Sequence, residues 1–309
     1  MTGRLFVDGV DVFQEYGVYV ISGGWNELVA MPPLKSVESN DWHEEDGEEV
    51  DLSAPVLDSR TVTIRFALRY ADSHYFGFIQ ALSDGAYHTF DCRYIGRKFR
   101  LRLVGVGSFT TLDVLGEVVL KFADDFPLDG YTYKSPDPAL PDNDRFQLDE
   151  VNLSEYGVHI LQGTLSEVIK TPEVKPNLLR NITTQAGAIY DPLTVTYKAK
   201  DVKLSCLMRA DSLTQLWRNW DALLYHLSRP NERQFWIDDY ERTFPCYYRQ
   251  CAVSEFYPED KIWLRFDLTL TLTRDFRMID DDTVLATQGG IIVFTQDDIS
   301  AINLCQHNR

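Results

Sequence analysis

Glu15-Tyr16-Gly17-Val18 recurs 140 residues later as Glu155-Tyr156-Gly157-Val158. A shared tetrapeptide can arise by chance, but the same offset also pairs Gly23 with Gly163, Glu27 with Glu167, Pro32 with Pro172 and Lys35 with Lys175. An internal repeat of this length governs the reading of the whole fold, because each copy must then build its own core. The register continues through Val62, Ile64, Phe66 and Leu68, matched by Val202, Leu204, Cys206 and Met208. Apolar residues at every second position predict a strand with one buried face.

Beyond this strand each copy predicts one helix. In the second copy Leu213, Leu216, Trp217, Trp220, Leu223, Leu224 and Leu227 form an apolar stripe at spacings of three and four. Asp211 or Ser212 starts the helix and Arg229-Pro230-Asn231 stops it, which predicts a span near 212–229. The first copy carries a shorter helix near 73–84, starting at Asp72-Ser73. After it the offset becomes 145, pairing Ser83 with Ser228, Phe90 with Phe235, Arg97 with Arg242 and Phe99 with Phe244. At the last strand an offset of 150 pairs Leu120 with Leu270, Phe122 with Leu272 and Asp125-Phe126 with Asp275-Phe276.

The repeated segments span 4–130 and 146–278. They predict a first domain over 1–132, a proline-rich linker over 133–145, a second domain over 146–278 and a C-terminal extension over 279–309. Pro136, Pro138 and Pro141 favour an extended, semi-rigid connector. The alternation of Leu264, Phe266, Leu268, Leu270 and Leu272 with polar residues implies an antiparallel sheet with one polar face. The fold class is therefore α+β and mainly β, with an antiparallel sheet curled into a sandwich or barrel and one flanking helix in each copy. Trp217 and Trp220 are expected to be buried between their helix and the second copy's own sheet.

The chain has 309 residues, room for two cores, and 44% hydrophobic residues, which excludes disorder for most of it. Its net charge of −17 excludes the basic footprint that gripping nucleic acid requires. Met1–Phe6 holds no apolar core of signal-peptide length, and no run approaches the roughly 18 apolar residues of a membrane span, so a cytosolic origin is expected. Five scattered cysteines fit reduced thiols. The odd spacing of Cys246 and Cys251 puts them on opposite faces of a strand, unsuited to a shared metal. The six histidines form no close ligand pair, and the sequence has neither H-E-x-x-H, a phosphate loop nor Gly-x-Ser-x-Gly. No catalytic residue, cofactor or metal is expected, and the chain reads as a non-enzyme.

The long loops diverge between copies. From Ser36 to Asp58 there are nine acids and no Lys or Arg, whereas Pro176 to Lys198 holds one acid, Asp191. The acidic run lacks the alternating ligands and closing Glu of an EF-hand and reads as a solvated loop rather than a calcium site. Divergent loops on a shared scaffold suit different partners. Asp41, Trp42, Glu44, Glu45, Glu48 and Glu49 in the first loop, and Asn177, Leu178, Arg180, Ile182, Ile189 and Tyr190 in the second, are the candidate interface residues.

Several features together resemble the N-terminal domain of the distal tail proteins of tailed bacteriophages. They are the Glu-Tyr-Gly-Val opening, the proline-ended strand before a long loop, the single helix, and Phe235-Trp236-Ile237-Asp238-Asp239-Tyr240 leading to Tyr247-Tyr248-Arg249. That domain has the fold of tail-tube and hub proteins, and the resemblance covers both copies. It implies a structural component of a phage or prophage tail tip, in the virion and assembled in the bacterial cytoplasm. Such a protein forms a homo-oligomeric ring, a hexamer or a trimer with pseudo-sixfold symmetry, between the tail tube and hub proteins. DNA would pass through its lumen without specific binding. Distal tail proteins usually continue with a lectin-like sandwich, whereas here the first domain is repeated. The alternative is a carbohydrate-binding or adhesion module, with Trp236, Tyr240, Tyr247, Tyr248 and Tyr257 as a stacking platform.

Overall fold

A computed structural model describes residues 1–68, 74–112, 115–138, 141, 143–176, 180–181, 183–184, 186–189, 195–274 and 276. The first half contains β1 (Phe6–Val7), β2 (Val10–Asp11), α1 (Val12–Tyr16), β3 (Val18–Val20), α2 (Asn26–Val29), β4 (Ser39–Asn40), β5 (Glu49–Val50), β6 (Arg60–Leu68), α3 (His74–Leu82), β7 (His88–Cys92), β8 (Arg97–Leu112) and β9 (Leu115–Asp124). The second half contains β10 (Phe146–Leu148), β11 (Val151–Asn152), β12 (Val158–Ile160), α4 (Thr164–Ile169), β13 (Arg180–Asn181), β14 (Ala188–Ile189), β15 (Lys200–Ala210), α5 (Leu213–Leu227), β16 (Arg233–Ile237), β17 (Arg242–Tyr257) and β18 (Ile262–Leu272). A 3-10 turn over Leu153–Tyr156 takes the place of α1.

The fold is mainly β, with short helices. One antiparallel sheet has the order β2-β1-β7-β8-β9-β6-β3 and the other β11-β10-β16-β17-β18-β15-β12. The two orders correspond place by place, and both sheets belong to one compact unit, Met1–Asp275; the other unit is Phe276–Arg309. Each long strand, β8 and β17, carries two register shifts. Such bulges bend a strand and increase its twist, which curls the sheet. β2 and β3 are the edges of the first sheet, and β11 and β12 those of the second.

The glycine of the repeated tetrapeptide closes the first turn. Gly17 (φ 69°) and Gly157 (φ 72°) are left-handed caps that return the chain into β3 and β12. At Gly157 a Cβ would lie 2.7 Å from the Arg209 carbonyl oxygen, so the neighbouring strand excludes any side chain there. A second shared device lies in the hairpin before it. Asp8 (φ 48°) accepts from the Thr89 amide at 2.8 Å and pairs with His88 at 2.6 Å. Asp149 (φ 50°) accepts from the Gln234 amide at 2.7 Å and pairs with Arg233 at 2.6 Å.

A third device holds the short helices. Arg60, at the start of β6, donates to the carbonyls of Glu27, Leu28 and Ala30 at the end of α2. Lys200, at the start of β15, donates to the carbonyls of Val168 and Lys170 at the end of α4. A cation on the last carbonyls satisfies acceptors the helix leaves open. Arg60 also pairs with Asp124 on β9 at 2.9 Å, whereas the residue opposite Lys200 on β18 is Leu272. Without a facing carboxylate, burial pulls the Lys200 amine down to about 8.

The structure corrects three sequence expectations. Phe122 pairs with Val62, and Leu270 pairs with Val202. Phe122 therefore corresponds to Leu270, an offset of 148 (270 less 122), and the 150-residue match at Asp-Phe is two residues out of register. Cys246 and Cys251 pair with Leu272 and Leu268 on β18. Those partners are four apart, so the intervening bulge brings both cysteines to one face rather than to opposite faces. Lastly, Trp217 and Trp220 are buried, but at a seam between the two sheets rather than between α5 and the second sheet alone.

The alternating faces of β6, β15 and β18 pack as the period implies: Val62, Ile64, Phe66, Leu68, Val202, Leu204, Cys206, Met208 and Leu264–Leu272 at every second position are buried. Each buried Leu, Val or Phe contributes about 1.5–3 kcal/mol. α5 starts one residue after its cap Ser212, whose Oγ accepts from the Gln215 amide at 3.1 Å. α3 ends near its expected boundary; its proposed cap at Asp72-Ser73 and the whole 279–309 extension lie outside the described residues. The linker is fastened to α5, where Ser135 and Asp137 carbonyls accept from Arg218 at 2.5 Å and Asn219 at 2.9 Å.

Candidate functional site

Two surfaces join the halves of the chain, and both are built from residues the sequence made conspicuous. The first is the tryptophan seam. The Trp217 indole donates to the Ile95 carbonyl at 2.6 Å, and the Trp220 indole to the Val29 carbonyl at 3.1 Å. Trp220 also packs edge-on against Phe266 of its own sheet, with ring centres 4.8 Å apart. Beside them Arg97 pairs with Asp221 at 2.7 Å. Burial raises the Asp221 carboxyl above its ordinary range, and Arg97 opposes that rise. An open cleft of about 420 Å³ runs along the seam past Arg60, Arg97, Trp217 and Tyr131.

The seam continues where residues 26–34 lie across β17. Asn26 donates to the Ser254 carbonyl at 2.7 Å, the Leu34 amide to the Arg249 carbonyl at 3.1 Å, and the Tyr248 hydroxyl to the Pro32 carbonyl at 2.9 Å. Cys251 lies under this segment, and burial pushes its thiol up to about 12, which leaves it unreactive at neutral pH.

The second surface is the acidic loop. β4 and β5 pair as a small hairpin, and the run between them folds back onto the second sheet's half of the chain. Lys175 is the anchor. Its buried ammonium pairs with Asp41 at 2.5 Å and donates to the carbonyls of Trp42 at 2.7 Å and Gly47 at 2.6 Å. The Tyr197 amide donates to Asp46 at 2.8 Å, the Gly47 amide to the Tyr197 carbonyl at 2.7 Å and the Glu48 amide to the Thr273 carbonyl at 3.0 Å. Glu48 also accepts from the Tyr247 hydroxyl at 3.2 Å, and Glu49 from the Trp42 indole at 3.2 Å.

Thus Asp41, Trp42, Glu48 and Glu49 are brought together, while Glu44 and Glu45 stay exposed on the outside of the loop. Of the second loop's candidates, Arg180 and Ile189 pair across β13 and β14; Asn177, Leu178, Ile182 and Tyr190 lie outside the described residues. Sequence reasoning missed Lys175 as a partner for the acids. The available signal was that Lys35, beside the 36–58 loop with no Lys or Arg of its own, recurs as Lys175.

The aromatic residues considered for sugar stacking do not form one platform. Tyr248 is fully buried, Trp236, Tyr240 and Tyr247 are half-buried, and Tyr257 is exposed and stacks on Trp263 with ring centres 6.2 Å apart. Among the described residues no three His, Cys, Asp or Glu side chains cluster as a metal site. No described helix is long and apolar enough to cross a membrane.

No protein-family model and no curated protein matches the chain. Among solved structures it is similar to the Dit protein of phage SPP1 (gp 19.1), described as a paradigm of the hub adsorption apparatus in phages that infect Gram-positive bacteria. The identity is 11%, the match covers 87% of this chain and 98% of that one, and the TM-score is 0.29.

Proposed function

We propose that this chain is a non-catalytic building block of a phage or prophage tail tip, a duplicated tube-like domain that assembles into a ring with copies of itself. The ring continues the tail tube, contacts tube and hub proteins, and lets DNA pass without holding it. The observation that carries this reading is the recurrence of one seven-strand order in two sheets fastened side by side. A single chain thereby contains one link of what can become a repeating array. The acidic balance agrees with a lumen that repels the phosphate backbone. The likeness of the repeated segments to distal tail proteins supplies the biological setting.

A glycan-binding module is the competing reading, favoured by the stack of exposed Tyr257 on half-buried Trp263. Light scattering on the full chain and on a chain ending at Met278 separates the two. Ring assembly gives a fixed multiple of the chain mass. A single chain at every concentration, with glycan-array binding, supports the module instead.

A further inference from the structure

Inside one chain, residues 26–34 cover β17, and the register gives each partner a counterpart in the other half. Val29 and Leu34 correspond to Ile169 and Val174 at the 140-residue offset that the β3–β6 and β12–β15 pairings share. Leu103 pairs with Phe122, and Tyr248 with the corresponding Leu270, so Val104 and Val106 stand in β8 where Arg249 and Cys251 stand in β17. After the second bulge Phe109 takes the place of Val253, beside Ser254. Counting back from the helix ends Leu82 and Leu227, Phe76 stands in α3 where Asp221 stands in α5.

The counterparts are bare. Val29 is 1% exposed but Ile169 is 49%, and Val174 is 47%. On the receiving side Val104 is 53% exposed, Val106 47%, Phe109 43% and Phe76 70%. Phe109 is held by a stack on Tyr75, whose ring lies 4.6 Å away, so this patch is preformed. Apolar side chains gathered on an exposed face mark an interaction surface. Here their positions also name the occupant, because Val29 and Met31 are buried and Cys251, Val253 and Asp221, the counterparts of Val106, Phe109 and Phe76, are at least half-covered within the chain, whereas Arg249 at the place of Val104 stays exposed.

We infer that the 166–174 segment of one chain docks on β8 and α3 of a second copy, repeating between chains the contact that 26–34 makes with β17 within a chain. Ile169 and Thr171 meet Val106 and Phe109, the Val174 amide meets the Val104 carbonyl, and Phe76 takes the place along α3 that Asp221 holds in the tryptophan seam. The interface is heterologous: each chain offers a donor segment at one end and a receiving face at the other, so chains add head to tail and close into a ring where the rotation permits. This deepens the ring proposal by naming its surfaces, and rests on that proposal only in requiring self-association.

A charge-swap series read by light scattering and sedimentation tests it, because the Met31 backbone meets the Cys251 side chain within the chain, which places Thr171 beside Val106 of the next chain. Val106→Asp and Thr171→Lys each place an unpaired charge in the interface and are expected to raise the concentration of half-assembly at least about tenfold, which corresponds to about 1.4 kcal/mol. The double variant pairs the two charges across the interface and is expected to regain most of the loss. Both positions are exposed, so folding is retained and is checked by circular dichroism. Single variants that assemble like the parent, or a double variant no better than either single, overturn this interface while leaving the ring proposal standing. A parent chain that never associates overturns both.

Discussion

Arg60 and Lys200 occupy corresponding positions and cap corresponding helices, yet only Arg60 faces a carboxylate. The difference has a pH signature. A lysine with a folded value near 8 and an ordinary unfolded value near 10.4 is charged in both states below pH 8, so its burial cost is fully present there. Between those values the folded state has shed the proton and the unfolded state still holds it, so stability rises with pH. Above the unfolded value the cost is gone. Chemical denaturation of the parent and of Lys200→Met across pH 7–10.5 should show this rise only in the parent; parallel curves would remove the assignment. Gly157 makes a second residue-scale prediction. Replacement by Ala forces a left-handed Ala against the Arg209 carbonyl and should cost more than about 1 kcal/mol in denaturant unfolding. The sequence marked Gly157 by the recurrence of its tetrapeptide, while Lys200 is tied to Arg60 only by extending the 140-residue offset back from Val62 and Val202. It could not show that the acid opposite had become Leu272, because the apparent register of the last strand was displaced by two residues.

The elements were legible wherever periodicity was strong. The alternation in β6, β15 and β18 and the stripe on α5 place their buried faces correctly, because burial on one face is what those periods encode. What the stripe could not reveal was its second partner. A tryptophan on an apolar face satisfies the helix pattern whether it packs on its own sheet alone or also reaches another, and Trp217 and Trp220 do both, reaching across through their indole N–H groups. Trp220→Ala should cost about 3–5 kcal/mol, since it opens a cavity against Phe266 and orphans the Val29 carbonyl. A change below about 1 kcal/mol in urea unfolding would refute the seam. The acidic loop was legible as charged and long. Its fold back onto Lys175 was not, because a run of acids reads alike whether it is solvated or draws one distant cation into its centre.

For the molecule as a whole, two sheets of one strand order lie within one unit, and the 26–34 segment is laid on β17 while its counterparts Ile169 and Val174 are exposed. That arrangement is what a head-to-tail array requires of its subunit. The sequence showed the repeat but not which surfaces are open, since openness follows from contacts between segments far apart along the chain. Electron-microscope images of the purified protein test the ring most directly. A ring gives closed particles with a central hole and threefold or sixfold symmetry. Compact single chains without a hole, at concentrations up to those that saturate assembly of other ring subunits, would contradict it.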